Sequence, residues 1–203
     1  MIKVIYCDEL KADYQNLFDH AKINLGQIPA VDRVVNQIVT NRPRYEAVAK
    51  VIGLPWYLVG LIHNLECGLS FAKHLHNGDP IDKPTTHVPA GRPHTAKPWD
   101  WTWETSAEDA LRMLHMDVWH DWSIPGILYK LEGYNGYGYR QYHPTVKSPY
   151  LWAGTNQYIK GKYIADGHFD ANAVSKQLGI AAVLKRMYAL GLVDGQSKPA
   201  LSS

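Results

Sequence analysis

The stretch LVGLIHNLECGLSF, Leu58 to Phe71, limits the fold more than any other part of the chain. It stays apolar for two helical turns, and a helix of that kind has to be surrounded by other elements. It then places a single carboxylate, Glu66, at its exit, followed at once by Cys-Gly-Leu-Ser-Phe. A solvated helix scatters its charges and a core helix carries none, so an acid at this one place asks for a reason.

The neighbouring segments supply the expected cover. Residues 8–24 carry Leu10, Tyr14, Leu17, Phe18 and Ala21 on one helical face, and AVDRVVNQIVTN repeats the pattern with Val31, Val34, Val35 and Ile38. Pro43 is expected to close that second helix. A short helix from about Arg44 to Ile52 should end at Gly53, and Pro55 at a first-turn position opens the next one. From His74 to about Trp103 the texture changes: HNGDP is a turn signal, and Pro80, Pro84, Pro89, Pro93 and Pro98 forbid a long helix. IDKPTTHVPAGRP reads as short extended pieces with room for a small hairpin. Helix resumes at TSAEDALRMLHM, where Thr105 and Glu108 have capping-box spacing. It returns over Pro125–Glu132 until GYNGYGYRQYHP breaks it, and a last amphipathic helix is predicted over 172–191. The residues give a mostly α domain with a small β or irregular lobe inserted after Glu66, and residues 195–203 read as a flexible tail.

Composition excludes several classes. With 203 residues, 46% hydrophobic and 20% charged, the chain can bury a full core as one domain. A net charge of +2 without a Lys/Arg run argues against nucleic-acid binding. Cys7 and Cys67 cannot build a disulfide framework and read as free thiols. No stretch approaches the length of a membrane span, so no stable membrane insertion is expected, and no signal peptide is seen. Seven Trp and thirteen Tyr against three Phe give most rings a polar handle. That suits half-wet surfaces, sugar-binding grooves among them.

On a helical wheel Leu61, Ile62 and Leu65 fall within about 60° of Leu58, and Glu66 falls near 80°, at the edge of the apolar stripe. A carboxyl half-buried among aliphatics has its charged form disfavoured, the property a general acid needs at neutral pH. The plainer reading is a helix-end Glu solvated beyond its stripe.

The segment RYEAVAKVIGLPWYLVGLIHNLECGLSF resembles the lysozyme-like superfamily, especially phage endolysins and soluble lytic transglycosylases. In that family a Gly-hydrophobic-Pro turn leads into a helix ending in the catalytic Glu, then a small residue, Ser and Phe. The resemblance implies Glu66 as catalytic acid. Phage lysozymes also carry Glu, eight residues, Asp, five residues, Thr. Here Asp79 follows Glu66 after twelve residues, and Thr85 comes five residues beyond, which implies catalytic partners at Asp79 and Thr85 with the first gap four too long. SPYLWAGTNQYIKGKY is similar to the transglycosylase segment in which Asn and Tyr line the groove, matching Asn156, Tyr158, Gly161 and Tyr163. LEGYNGYGYR stands where family members build a substrate-facing loop, which implies substrate contacts from Tyr134, Asn135, Tyr137 and Tyr139. Ser70 joins them, and His63, one turn before Glu66, is expected to tune or hydrogen-bond the acid.

The resemblance covers roughly residues 44–165, with residues 1–42 an N-terminal helical extension packed on a single lysozyme-like domain spanning 1–203. It implies cleavage of the β-1,4 bond between N-acetylmuramic acid and N-acetylglucosamine in peptidoglycan by a monomeric, cofactor-free muramidase of endolysin type. Such an enzyme is stored in the host cytoplasm and acts on the cell wall. The alternatives are a lytic transglycosylase using Glu66 alone and, in another class, a non-catalytic glycan-binding or phage structural protein. His63, His74, His76 and His87 invite a zinc reading, but no HExxH or comparable spacing occurs, so no metal is expected. Cys67 reads as a buried structural thiol. Asp100, Glu104, Asp117 and Asp121 read as surface or capping acids.

Overall fold

The computed structural model describes residues 4–94, 102–165 and 167–193. It is mostly helical with one small two-stranded sheet. By its packing the chain divides into two compact units: Met1–Val35 with Asp121–Ser203, and Asn36–His120. The division falls inside helix α2, Ile28–Thr40. Of the 1–42 stretch expected to form an extension, Met1–Val35 thus shares a unit with Asp121–Ser203, while the rest belongs to the other unit.

The Asn36–His120 unit is built on α3 (Arg42–Ile52), α4 (Trp56–Cys67) and α5 (Trp103–Met113). Pro43 does not close α2; it sits in the first turn of α3, where its missing N–H would have had no partner. Gly53 ends α3 in the left-handed region, and α4 leaves at a bend of 110° with Pro55 as its N-cap. Trp56–Cys67 is the surrounded helix: Leu58, Val59, Leu61 and Ile62 are all within 1% of complete burial. Full burial demands close neighbours, and Gly60 provides the closest. A Cβ on Gly60 would lie 2.6 Å from Cγ2 of Ile38. Residues 68–94, after α4, form no regular element and hold only an isolated bridge between Lys73 and Pro80. The described part of the inserted lobe is therefore irregular, without the hairpin that IDKPTTHVPAGRP left room for. Thr102, one turn earlier than the expected Thr105, caps α5 by accepting the Thr105 N–H at 3.1 Å.

The other unit pairs α1 (Asp8–His20) with α6 (Ile124–Tyr134), and α8 (Pro149–Trp152) with both α6 and α9 (Ile180–Ala189). A short helix α7 (Gly138–Tyr142) forms inside the Gly/Tyr segment. The sheet lies here, where the sequence reading had placed no strand: β1 (Lys162–Ala165) and β2 (His168–Asp170) pair antiparallel, with Lys162 opposite Asp170. The last helix starts at Ile180; residues 171–179 form turns and extended backbone. A buried ionic network ties the helices together. Tyr14 donates to Glu132, 2% exposed on α6, and Arg140 binds Glu132 at 2.7 Å and Asp13 at 3.0 Å. Among the described residues no single helix is long and apolar enough to cross a membrane. The expected tail, residues 195–203, lies outside the described residues.

Gly60→Ala should force Ile38 to move and lower stability by about 1–3 kcal/mol, the usual cost of overpacking a filled core. Thermal denaturation followed by circular dichroism checks this.

Candidate functional site

Glu66 occupies the last turn of α4 and is half-buried, so the acid neither dives into the core nor stands clear in water. The helix stops immediately after it. Gly68 caps α4 at φ 58°, and Leu69 follows at φ 62°, also in the left-handed region. For glycine that conformation is free, but for leucine it costs roughly 1–2 kcal/mol, strain of a kind that tends to gather at functional sites. The Leu69 N–H closes on the His63 carbonyl at 3.2 Å, and the Ser70 N–H on the Cys67 carbonyl at 3.1 Å. Ser70 is left half-buried beside the helix end. The HNGDP turn then folds back over the exit. Cys67 Sγ donates to the His74 carbonyl, and a Cβ on Gly78 would stand 3.5 Å from the Glu66 carbonyl oxygen.

His63 does not face a substrate. It is fully buried between the rings of Phe71, at 4.6 Å, and Trp103, at 4.5 Å, with Nδ1 3.0 Å from the Tyr45 hydroxyl. Nε2 has no well-formed hydrogen bond. Burial pushes the imidazole down to about 4, so the ring is neutral near pH 7. Neither ring nitrogen hydrogen-bonds Glu66, so the expected hydrogen bond to the acid is replaced by a packing role one turn below it.

Asp79 is 7% exposed, and both of its oxygens are occupied by its own loop. Oδ2 accepts the backbone N–H groups of Thr86 at 2.7 Å and His87 at 2.9 Å, with the Asn77 amide at 3.2 Å, while Oδ1 meets His87 Nδ1 at 2.6 Å. The His87 backbone and ring hold this carboxyl well below the usual carboxylate range. Thr85, 3% exposed, is a staple in the same loop. Its hydroxyl donates to the Pro89 carbonyl and accepts the Arg92 N–H at 2.9 Å. Both residues expected as catalytic partners are thus engaged in shaping residues 79–92. His74 and His76 complete the loop's anchorage: His74 Nε2 donates to the Lys83 carbonyl at 2.7 Å, which leaves Nδ1 to accept from Ser106 at 2.8 Å. His76 pairs with Asp109, which Arg92 also binds. Among the described residues no group of three or more His, Cys, Asp or Glu is arranged to hold a metal ion.

The other unit carries a cleft of about 350 Å3. Its walls include Asn135 and Tyr139, two of the residues expected to contact substrate, and also Tyr150, Lys162, Tyr163 and Gln177. The Tyr139 hydroxyl accepts the Tyr163 N–H at 3.2 Å, and the two rings meet edge to face at 5.3 Å, so β1 is fastened to α7 across the cleft. The remaining expected contacts lie elsewhere. Tyr134 stacks on Tyr150, and Tyr137 donates to the Tyr129 carbonyl at 3.0 Å. Asn156 is exposed but clips the chain after α1, accepting the Lys22 N–H at 2.7 Å and donating to the His20 carbonyl. Tyr158 is buried, donating to the Gly161 carbonyl and accepting the Ser175 N–H. Sequence reasoning passed over the hairpin that supplies Lys162. The available signal was Asp-Gly in KYIADGHFD, a hairpin turn between β-formers.

Because folding holds His63 neutral, the unfolded chain, titrating near 6.5, binds more protons than the native one. The stability this gives is full above pH ~6.5 and is lost as pH falls from there to about 4. His63→Phe should flatten stability against pH in that window, measured by denaturant titration. No protein-family model, curated protein or solved structure matches this chain, and its function has to be read from the geometry just described.

Proposed function

We propose that the chain cleaves the β-1,4 bond between N-acetylmuramic acid and N-acetylglucosamine in peptidoglycan, with Glu66 as general acid. The observation that carries this reading is the placement of Glu66. It is a half-buried carboxylate at the end of an otherwise apolar, enclosed helix, followed by two left-handed residues and a loop clasped over the exit. A fixed helix end favours a fixed proton position, which protonation of a glycosidic oxygen requires. The tyrosine-lined cleft adds support, since its volume and its mix of rings, amides and glycine backbone suit an N-acetyl sugar. An endolysin-like role in bacterial wall breakdown follows from that chemistry.

A second reading within the same bond cleavage is favoured by one observation, the full engagement of Asp79 in its loop. With Asp79 engaged in its loop, the muramic 6-hydroxyl can attack C1 as the glycosidic bond breaks. Glu66 then gives its proton to the leaving oxygen and recovers one from the attacking hydroxyl. The product carries a 1,6-anhydro end, as in a lytic transglycosylase.

Glu66→Gln should fold normally and lower release of soluble fragments from purified peptidoglycan ~10²–10⁴-fold; retention of a tenth of the parent rate would remove Glu66 from the mechanism. Asp79→Asn separates the two routes. If Asp79 only shapes the loop, melting falls modestly and turnover persists, with anhydro ends in the product masses. A large fall in turnover at unchanged melting temperature, with reducing muramic ends in the parent's products, would instead return Asp79 to catalysis.

A further inference from the structure

The cleft described above has one charged residue among the described residues of its wall, Lys162. Every other wall residue is neutral: tyrosine rings, the Asn135 and Gln177 amides, the Ser175 hydroxyl and glycine backbone. Those groups satisfy the faces and amides of any N-acetyl sugar; its hydroxyl and acetamide oxygens can accept from an ammonium, but only an anion answers the charge. Lys162 is nevertheless held half-buried on β1. Its partner across the sheet is Asp170, yet the Asp170 carboxylate is turned to its own chain, accepting the N–H groups of Asn172 at 2.8 Å and Ala173 at 3.2 Å. Lys162 makes no ion pair with it, nor with any other described residue. An ammonium kept on a ligand-sized wall without a local counter-charge is placed for an anion brought by the ligand.

We propose that Lys162 sets the specificity of this cleft by receiving a substrate carboxylate, so that the cleft takes acidic muramoyl glycan in preference to neutral N-acetylglucosamine chains. The inference rests on the peptidoglycan reading above and extends it to the feature of the polymer that distinguishes it from chitin. Two carboxylates share the required chemistry: the lactyl carboxylate of peptide-free muramic acid, and the free carboxylates of an attached stem peptide, where the lactyl group is amidated.

The full chain carrying Glu66→Gln, which should not consume its ligand, is titrated calorimetrically with three ligands. These are a neutral N-acetylglucosamine tetramer, a peptide-free muramoyl tetrasaccharide, and the same tetrasaccharide bearing its peptide. At least one acidic ligand should bind about tenfold more tightly than the neutral one, and which one does identifies the carboxylate. The preference should shrink with added salt, vanish in Lys162→Met and Lys162→Gln, and survive in Lys162→Arg. Equal binding of all three ligands, binding of none, or a preference that persists in both neutral variants would overturn the proposal. Wall lysis by the chain with Glu66 in place is a separate readout. Lysis without charge preference removes only the role of Lys162, and charge preference without lysis removes only the catalytic reading.

Discussion

The exit of α4 is held in place by an aromatic box, and the chemistry proposed for Glu66 depends on that box staying closed. Tyr45 from α3, His63 from α4, Phe71 from the following loop and Trp103 from α5 meet ring against ring at 4.5–5.9 Å. Arg44 lies over the Phe71 face at 3.8 Å while its guanidinium grips Glu104 with two hydrogen bonds, at 2.6 and 3.0 Å. Aromatic contacts set the mutual tilt of the elements, and the bidentate ion pair fixes their register. A helix terminus is ordinarily the part that frays. Here three other segments clamp it one turn below the acid.

The loop that follows keeps its shape without ladders. Residues 68–94 cover a helix end using polar side chains where a sheet would have used backbone pairs. Asp79 gathers the N–H groups of Thr86 and His87, Thr85 closes the turn to Arg92, and His74 and His76 reach Ser106 and Asp109 on α5. A carboxylate accepting several N–H groups acts as a substitute for a strand edge. An Asp whose position looked catalytic thus also holds the loop, its carboxylate met by the Thr86 and His87 N–H groups and the His87 ring.

The apolar run of α4 and helices near 8–24, 44–52 and 125–132 were legible because period, proline and glycine act locally, and the structure sets them at 8–20, 42–52 and 124–134. The wheel put Glu66 at the edge of the apolar stripe and left a solvated helix-end acid as the plainer reading; the structure has it half-buried. The burial of His63 was not legible, since it depends on Phe71, Trp103 and Tyr45 arriving from three other segments. The role of Asp79 was hidden likewise, because the donors that saturate it lie seven and eight residues on, in a proline-rich stretch without periodicity. Asn156 and Tyr158 matched a groove pattern by type, while long-range bonds to residues 20–22 and 175 decided where they point.

The two cysteines give the molecule a built-in chemical clock. Cys7 is exposed at the start of α1, whereas Cys67 is buried, gives its Sγ–H to the His74 carbonyl, and is pushed up to about 12 by burial and then by the charge of Glu66. A thiol held in that form is a poor nucleophile toward alkylating reagents or disulfides. Modification of Cys67 therefore has to wait until the clasp over the α4 exit opens. The rate at which this sulfur reacts, set against the prompt reaction of Cys7, reports how often the region around Glu66 breathes.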